Sequence, residues 1–223
     1  YWLTAIMAAR FLASAFAAGP ALLIMLCLVL RKTARFNVTD KAIDSLAKTV
    51  CYAMIANVFF FVLEVFTAFY SNMPGHKAPI EYLFFGLDGH SQLVPVMWLA
   101  AVLAIGGILL LLVPKLRRSH KVLVPALAAV FFACLIDKGL GLVLGGFVPN
   151  SFEQVVEYIP NPNELLVIVG VYSIGALALT VLCKVAVGVR AENGDLAPVP
   201  ASPEGAGAEA GDGRAEGGVA VGG

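Results

Sequence analysis

Apolar and polar positions alternate along this chain in long blocks. Runs at about 2–30, 46–70, 93–113, 122–147 and 165–187 hold most of its large aliphatic and aromatic residues. Each is near or above the ~20 residues that cross a hydrocarbon core of roughly 30 Å at ~1.5 Å per residue. The pattern predicts an all-α, polytopic transmembrane helix bundle of five spans over residues 1–189. Trp2 suits an interfacial belt at one end of the first span, and Arg31 and Lys32 mark its other end. Gly19-Pro20 predicts a kink within it. Thr39 or Asp40 is placed to cap a turn leading into the second span, and the third stops at Pro114.

The connections differ in character. Residues 71–92 form a loop longer than a bare link needs, and such loops usually carry function. This one holds His76, Asp88 and His90, and its YLFF run is too apolar for an ordinary solvated loop. In PNSFEQVVEYIPNPN, Ser151 and Gln154 have capping-box spacing, and Phe152, Val155, Val156 and Ile159 share one helical face. A short helix lying on the membrane surface is predicted there. From 190 to 223 the chain turns to Gly, Ala, Pro and Glu, which cannot bury enough surface to offset the entropy of ordering, so a disordered tail is expected.

Composition agrees with the pattern: 60% of residues are hydrophobic and only 13% charged, against about 25% charged in soluble domains. The net charge of zero says little, because placement matters more than sum in a membrane protein. Basic residues follow the first span (Arg31, Lys32, Arg35, Lys41, Lys48), the third (Lys115, Arg117, Arg118, Lys121) and the fifth (Lys184, Arg190), and Lys77 alone lies in the other two loops. By the positive-inside rule the N-terminus and the loops at 71–92 and 148–163 are outside and the tail is cytoplasmic. No basic stripe with interleaved aromatics points to nucleic acid. The opening Tyr1, leading straight into an apolar run, suggests the C-terminal part of a longer chain.

Four cysteines, Cys27, Cys51, Cys134 and Cys183, lie singly in apolar runs without Cys-x-x-Cys spacing, the pattern of small buried residues and not of iron-sulfur ligands. His76, His90 and His120 all fall at or beyond span ends, so no pair is placed to hold a haem within the membrane. No haem, iron-sulfur cluster or metal is expected in this chain.

Four ionisable residues lie inside spans: Arg10, Glu64, Asp137 and Lys138. Counted from Trp2, Tyr70 and Phe147, their depths are roughly 9–15 Å from one surface, so all four can share the same half of one bundle. A charge in the membrane faces protein or water and is a functional hypothesis by default. Neighbours on an α-helix point about 100° apart, which disfavours an Asp137–Lys138 pair and favours Arg10 with Glu64 or Asp137 across helices. Asn57, Glu64, Ala68 and Ser71 fall near one face of the second span, and Gly141 and Gly145 have the small-xxx-small spacing of close helix approach. Two readings stand for Glu64, Asp137 and Lys138: ion pairs fixing the bundle, or proton transfer, with quinone contact also open for Glu64 and Asp137. Arg10, Asp88 and His90 are candidates for the vicinity of a quinone, His90 because it closes FGLDGH just before the third span. His76 reads as a solvated loop residue, and Tyr70, Tyr82 and Phe85 as an aromatic belt.

On FLASAFAAGPALLI, VFFFVLEVFTAFYS and PGHKAPIEYLFFGLDGHSQLVPVMW, residues 2–187 resemble the NrfD, or polysulfide reductase, membrane-subunit family, with the nearest likeness to its DsrP-like and HmcC-like members. The resemblance implies a subunit without haem or cluster of its own, in a bacterial inner membrane. It implies exchange of electrons between menaquinol or menaquinone and a ferredoxin-like iron-sulfur subunit on the outer face, within a larger respiratory complex. Five spans are about half of such a member. In relatives of known structure the quinone pocket lies near the outer face of the first helical bundle, and this chain resembles the second, so no quinone ligand carries over onto a numbered position. Three functions follow for comparison: a quinone-interacting subunit of a respiratory oxidoreductase, a non-catalytic anchor for the iron-sulfur subunit, and an ion or proton transporter.

Overall fold

The computed structural model describes residues 4–33, 38–87, 89–148, 155 and 161–192. Described residues form helices throughout, with one isolated bridge between Leu87 and His90. Five segments are long and apolar enough to cross a membrane, and the chain is a multi-pass membrane protein. They are α1 (Ile6–Thr33), α2 (Asp40–Ser71), α4 (Val94–Leu112), the segment from α6 (His120–Leu135) to α7 (Val143–Gly146), and α8 (Pro162–Glu192). Two short helices complete the list: α3 (Pro74–Phe84) and α5 (Pro114–Arg117).

Four of the spans close a ring, in which α1 packs on α2 and α6, and α4 packs on the same two. The seam is made of small side chains. Ala17, Ala21 and Ala47 are buried with Ile24, Val50, Met54, Leu127 and Val130 in one core. Association in lipid lacks a hydrophobic drive between helices, so close contact between backbones carries it. Glycine permits that contact at three places. A Cβ at Gly107 would stand 2.7 Å from Val130 Cγ2, one at Gly141 2.9 Å from Met97 Cε, and one at Gly145 2.8 Å from Leu83 Cδ1. The spacing of Gly141 and Gly145 thus serves two partners, α4 and α3.

Several elements differ from the sequence expectation. The second span is one helix from Asp40 to Ser71, six residues longer at its start than the apolar run. Thr39 occupies its N-cap position but its side chain makes no capping hydrogen bond. The connection after α2 is largely helical: Pro74 stands in the first turn of α3, where a missing N–H costs nothing, and Ile80, Tyr82 and Leu83 are buried. Its apolar YLFF run closes one end of the ring, with Trp98 Nε1 donating to Phe84 O at 3.1 Å. The fourth span contains a π-helical segment, Ile136–Leu142, between α6 and α7. One-turn π segments mark functional positions more often than chance. The surface helix expected at 151–159 lies outside the described residues apart from Val155, and so does the tail beyond Glu192.

Packing is uneven. None of the apolar window of α8 is buried, whereas about a quarter of each other span is. The ring's two ends are distinct: the basic end carries Arg31, Lys32, Arg117 and Arg118, and the α3 end carries His76 and His90.

A candidate charge cluster between two cavities

Arg10 is 2% exposed and Glu64 4%, and the bundle brings them together from α1 and α2. One guanidinium nitrogen of Arg10 donates to Glu64 Oε2, and another donates to Asp137 Oδ1 at 2.5 Å. Both cross-helix partners foreseen for Arg10 are therefore engaged at once. The guanidinium also lies 4.6 Å from the centre of the Phe61 ring. Its planar fork suits two carboxylates better than a lysine would.

Lys138 corrects one expectation. Its Nζ lies 3.0 Å from Asp137 Oδ2, an ion pair between sequence neighbours. The pair forms because Asp137 and Lys138 lie in the π segment, whose wider turn alters the α-helical angle between successive side chains. The long lysine stem does the rest, folding back so that the ammonium also sits 5.2 Å from the Phe11 ring. Two cations and two carboxylates thus meet in the membrane interior, formally neutral. Paired burial of this kind keeps the desolvation penalty from falling on a lone charge.

The pairing is incomplete. Among the described residues, Glu64 Oε1 and Asn57 Oδ1 are buried without a hydrogen-bond partner, and Asp137 Oδ2 and Lys138 Nζ have only each other. Buried polar atoms are rarely left so, and each exception calls for an explanation. Here the explanation is a pair of cavities flanking the cluster.

The first, of about 200 Å³, lies between α2, α4 and the π segment, with Met54, Phe61, Met97 and Ala104 on its walls and Asn57 and Asp137 as its polar groups. Phe84 adds an aromatic edge, packed 5.5 Å from Phe61 and 5.9 Å from Trp98, ring centre to ring centre. The second, of about 300 Å³, lies between the start of α1, the end of α2 and α3, and is lined by Glu64, Thr4, Thr67, Ser71 and His76. Both are largely apolar, but the first carries two polar side chains and the second five.

Sequence candidates divide accordingly. Arg10, Glu64, Asp137 and Lys138 form the cluster. His90 lines neither cavity; it closes a tight turn, its N–H donating to Leu87 O at 2.9 Å and its C=O accepting from Leu87 N–H at 3.1 Å, with Gly86 and Gly89 at φ 84°. Asp88 lies outside the described residues. His76, read from sequence as a solvated loop residue, instead stands on the second cavity, because α3 folds back over the end of α2. Among the described residues no three His, Cys, Asp or Glu side chains gather as a metal-binding set.

The family model described as "Polysulphide reductase, NrfD" matches residues 1–147, which include the ring of four spans and the whole cluster. The chain belongs to the NrfD family. No curated protein and no solved structure matches it. The match ends one residue past α7, so α8 and the tail lie outside the matched segment.

Proposed function

We propose that this NrfD-family chain is a quinone-interacting subunit of a membrane oxidoreductase, passing electrons between menaquinol or menaquinone and an iron-sulfur partner subunit. The observation that carries the reading is the apolar cavity over Asn57 and Asp137. A quinone presents a flat apolar ring with two carbonyl or hydroxyl oxygens, and wants a largely apolar slot with few, well-placed polar groups. About 200 Å³ is below the ~300–1,000 Å³ of drug-sized pockets, which suits a head group whose tail stays in lipid.

Oxidising a quinol to a quinone releases two electrons and two protons. The electrons go to the iron-sulfur partner, and each proton needs a base. Asp137 stands on the cavity wall with Oδ2 held only by Lys138, so a quinol hydroxyl meets a carboxylate acceptor of the right type. Asn57 positions the ring through its amide. With the basic end facing the cytoplasm, the α3 end and its cavity face outside, in a bacterial inner membrane. The partner then docks at the α3 end.

Binding of a fluorescent menaquinol-analogue inhibitor to the detergent-purified chain tests the slot. Saturable quenching in the wild type, abolished in Asn57→Leu and retained in His90→Ala, is expected. Loss in His90→Ala with Asn57→Leu unaffected would move the quinone to the turn at 86–91. No binding by a well-folded sample would reduce this chain to an anchor for the iron-sulfur subunit.

A further inference from the structure

A quinone slot accounts for the apolar cavity and leaves the second one without a role. That second cavity is built differently. It is lined by Glu64, which is buried, by the hydroxyls of Thr4, Thr67 and Ser71, and by His76, which is partly exposed. Thr67 Oγ1 donates to Leu63 O at 2.7 Å and Ser71 Oγ donates to Ala68 O at 3.3 Å, so each hydroxyl keeps acceptor capacity for a further donor. Much of the lining is apolar, but at ~30 Å³ per molecule the volume has room for on the order of ten waters, and its five polar side chains supply the partners that ordered water needs.

We propose that this cavity is a water-filled proton passage joining Glu64 to the aqueous phase at the α3 end, with His76 at its mouth. The inference deepens the quinone reading by giving the shed protons a way out, and depends on that reading only for where the protons come from.

The charges around Glu64 support a single exchange step. Arg10 approaches from α1 and also holds Asp137 of the π segment, which Lys138 pairs in turn, and His76 lines the cavity from α3. Arg10 holds Oε2 and leaves Oε1 without a hydrogen-bond partner among the described residues. A proton reaching the cluster bonds to Oε1, which makes Glu64 neutral and gives the four-residue set one positive charge. Glu64 then passes the proton to a cavity water and recovers its carboxylate, and the set returns to neutrality. Neighbouring Lys77 does not compete for this role: its Nζ is 3.2 Å from Glu81 Oε1 and it is absent from the lining. Among the described lining residues only Glu64 and His76 carry ionisable side chains.

Single-cysteine accessibility in the intact membrane complex tests the passage. None of Cys27, Cys51, Cys134 or Cys183 lines this cavity. A membrane-impermeant cationic thiol reagent added on the α3 side should label Thr67→Cys and Ser71→Cys. Phe66→Cys, next in sequence but turned away at 63% exposure on the outer face of α2, should stay unlabelled. Labelling of Ser71→Cys should arrest quinol turnover in a chain whose charge cluster is untouched. Glu64→Gln should slow turnover by roughly a hundredfold while keeping analogue binding. Equal labelling at all three positions, or wild-type turnover in Glu64→Gln, overturns the passage. Analogue binding is read separately in the wild type: its absence overturns the slot and not the passage, because labelling needs no quinone.

Discussion

Two buried arginines hold this bundle at opposite ends, and they are used differently. Arg117, at the basic end, donates from Nε to Asp44 Oδ1 at 2.8 Å and from a terminal nitrogen to Leu111 O at 3.1 Å. Asp44 is also 3.1 Å from Lys48 Nζ. Among the described residues, every buried side-chain nitrogen or oxygen of Arg117 and Asp44 has a partner. Arg10, at the α3 end, bridges two carboxylates that line separate cavities, and Glu64 Oε1 is left without a hydrogen-bond partner among the described residues. The same chemistry, a guanidinium on a carboxylate, serves as a staple at one end and as a poised site at the other. Burial alone does not tell them apart. Unspent hydrogen-bonding capacity facing an internal space does.

Arg10→Met should produce the largest effect and the sharpest contrast. It strands two carboxylates with Lys138 as their sole remaining cation in the cluster, and breaking a buried pair in this way costs about 3–5 kcal/mol. Loss of helical circular dichroism on heating in detergent reads it, with analogue binding falling alongside. Arg117→Met should cost less, about 1–3 kcal/mol, because Asp44 is partly exposed and retains Lys48. It should leave analogue binding unchanged. Equal loss of binding in both variants would break the comparison and make the α3-end cluster another staple. The smallest effect belongs to Arg31→Ala. Arg31 pairs with Asp40 at 2.6 Å, but the two side chains are 43% and 68% exposed, so the change should stay within about 0.5 kcal/mol.

The difference between the two arginines also marks what was legible beforehand. Arg10, Glu64, Asp137 and Lys138 stood out because an ionisable group in an apolar run is costly enough to be noticed at once. Arg117 did not, since it sits among Lys115, Arg118 and Lys121 and reads as one more basic residue at a span end. His76 was hidden for a related reason. Its part depends on α3 turning back over α2, and an 11-residue helix with Pro79 inside it gives a weak periodic signal. The Asp137–Lys138 pair was missed because α-helical geometry was assumed across a stretch that is π-helical.

Apolar run lengths by themselves determined the class of protein, the number of spans and the depth of its four charges. Lipid leaves a backbone few ways to satisfy its polar groups, so twenty apolar residues have essentially one regular solution. Only the tertiary structure decided which charges meet, which polar atoms stay unbonded, and that the cluster stands between an apolar cavity and a hydroxyl-lined one. Those depend on the rotation of each helix about its axis and on close packing at Gly107, Gly141 and Gly145. Rotation is set by contacts between residues far apart in sequence, and hydropathy fixes only depth.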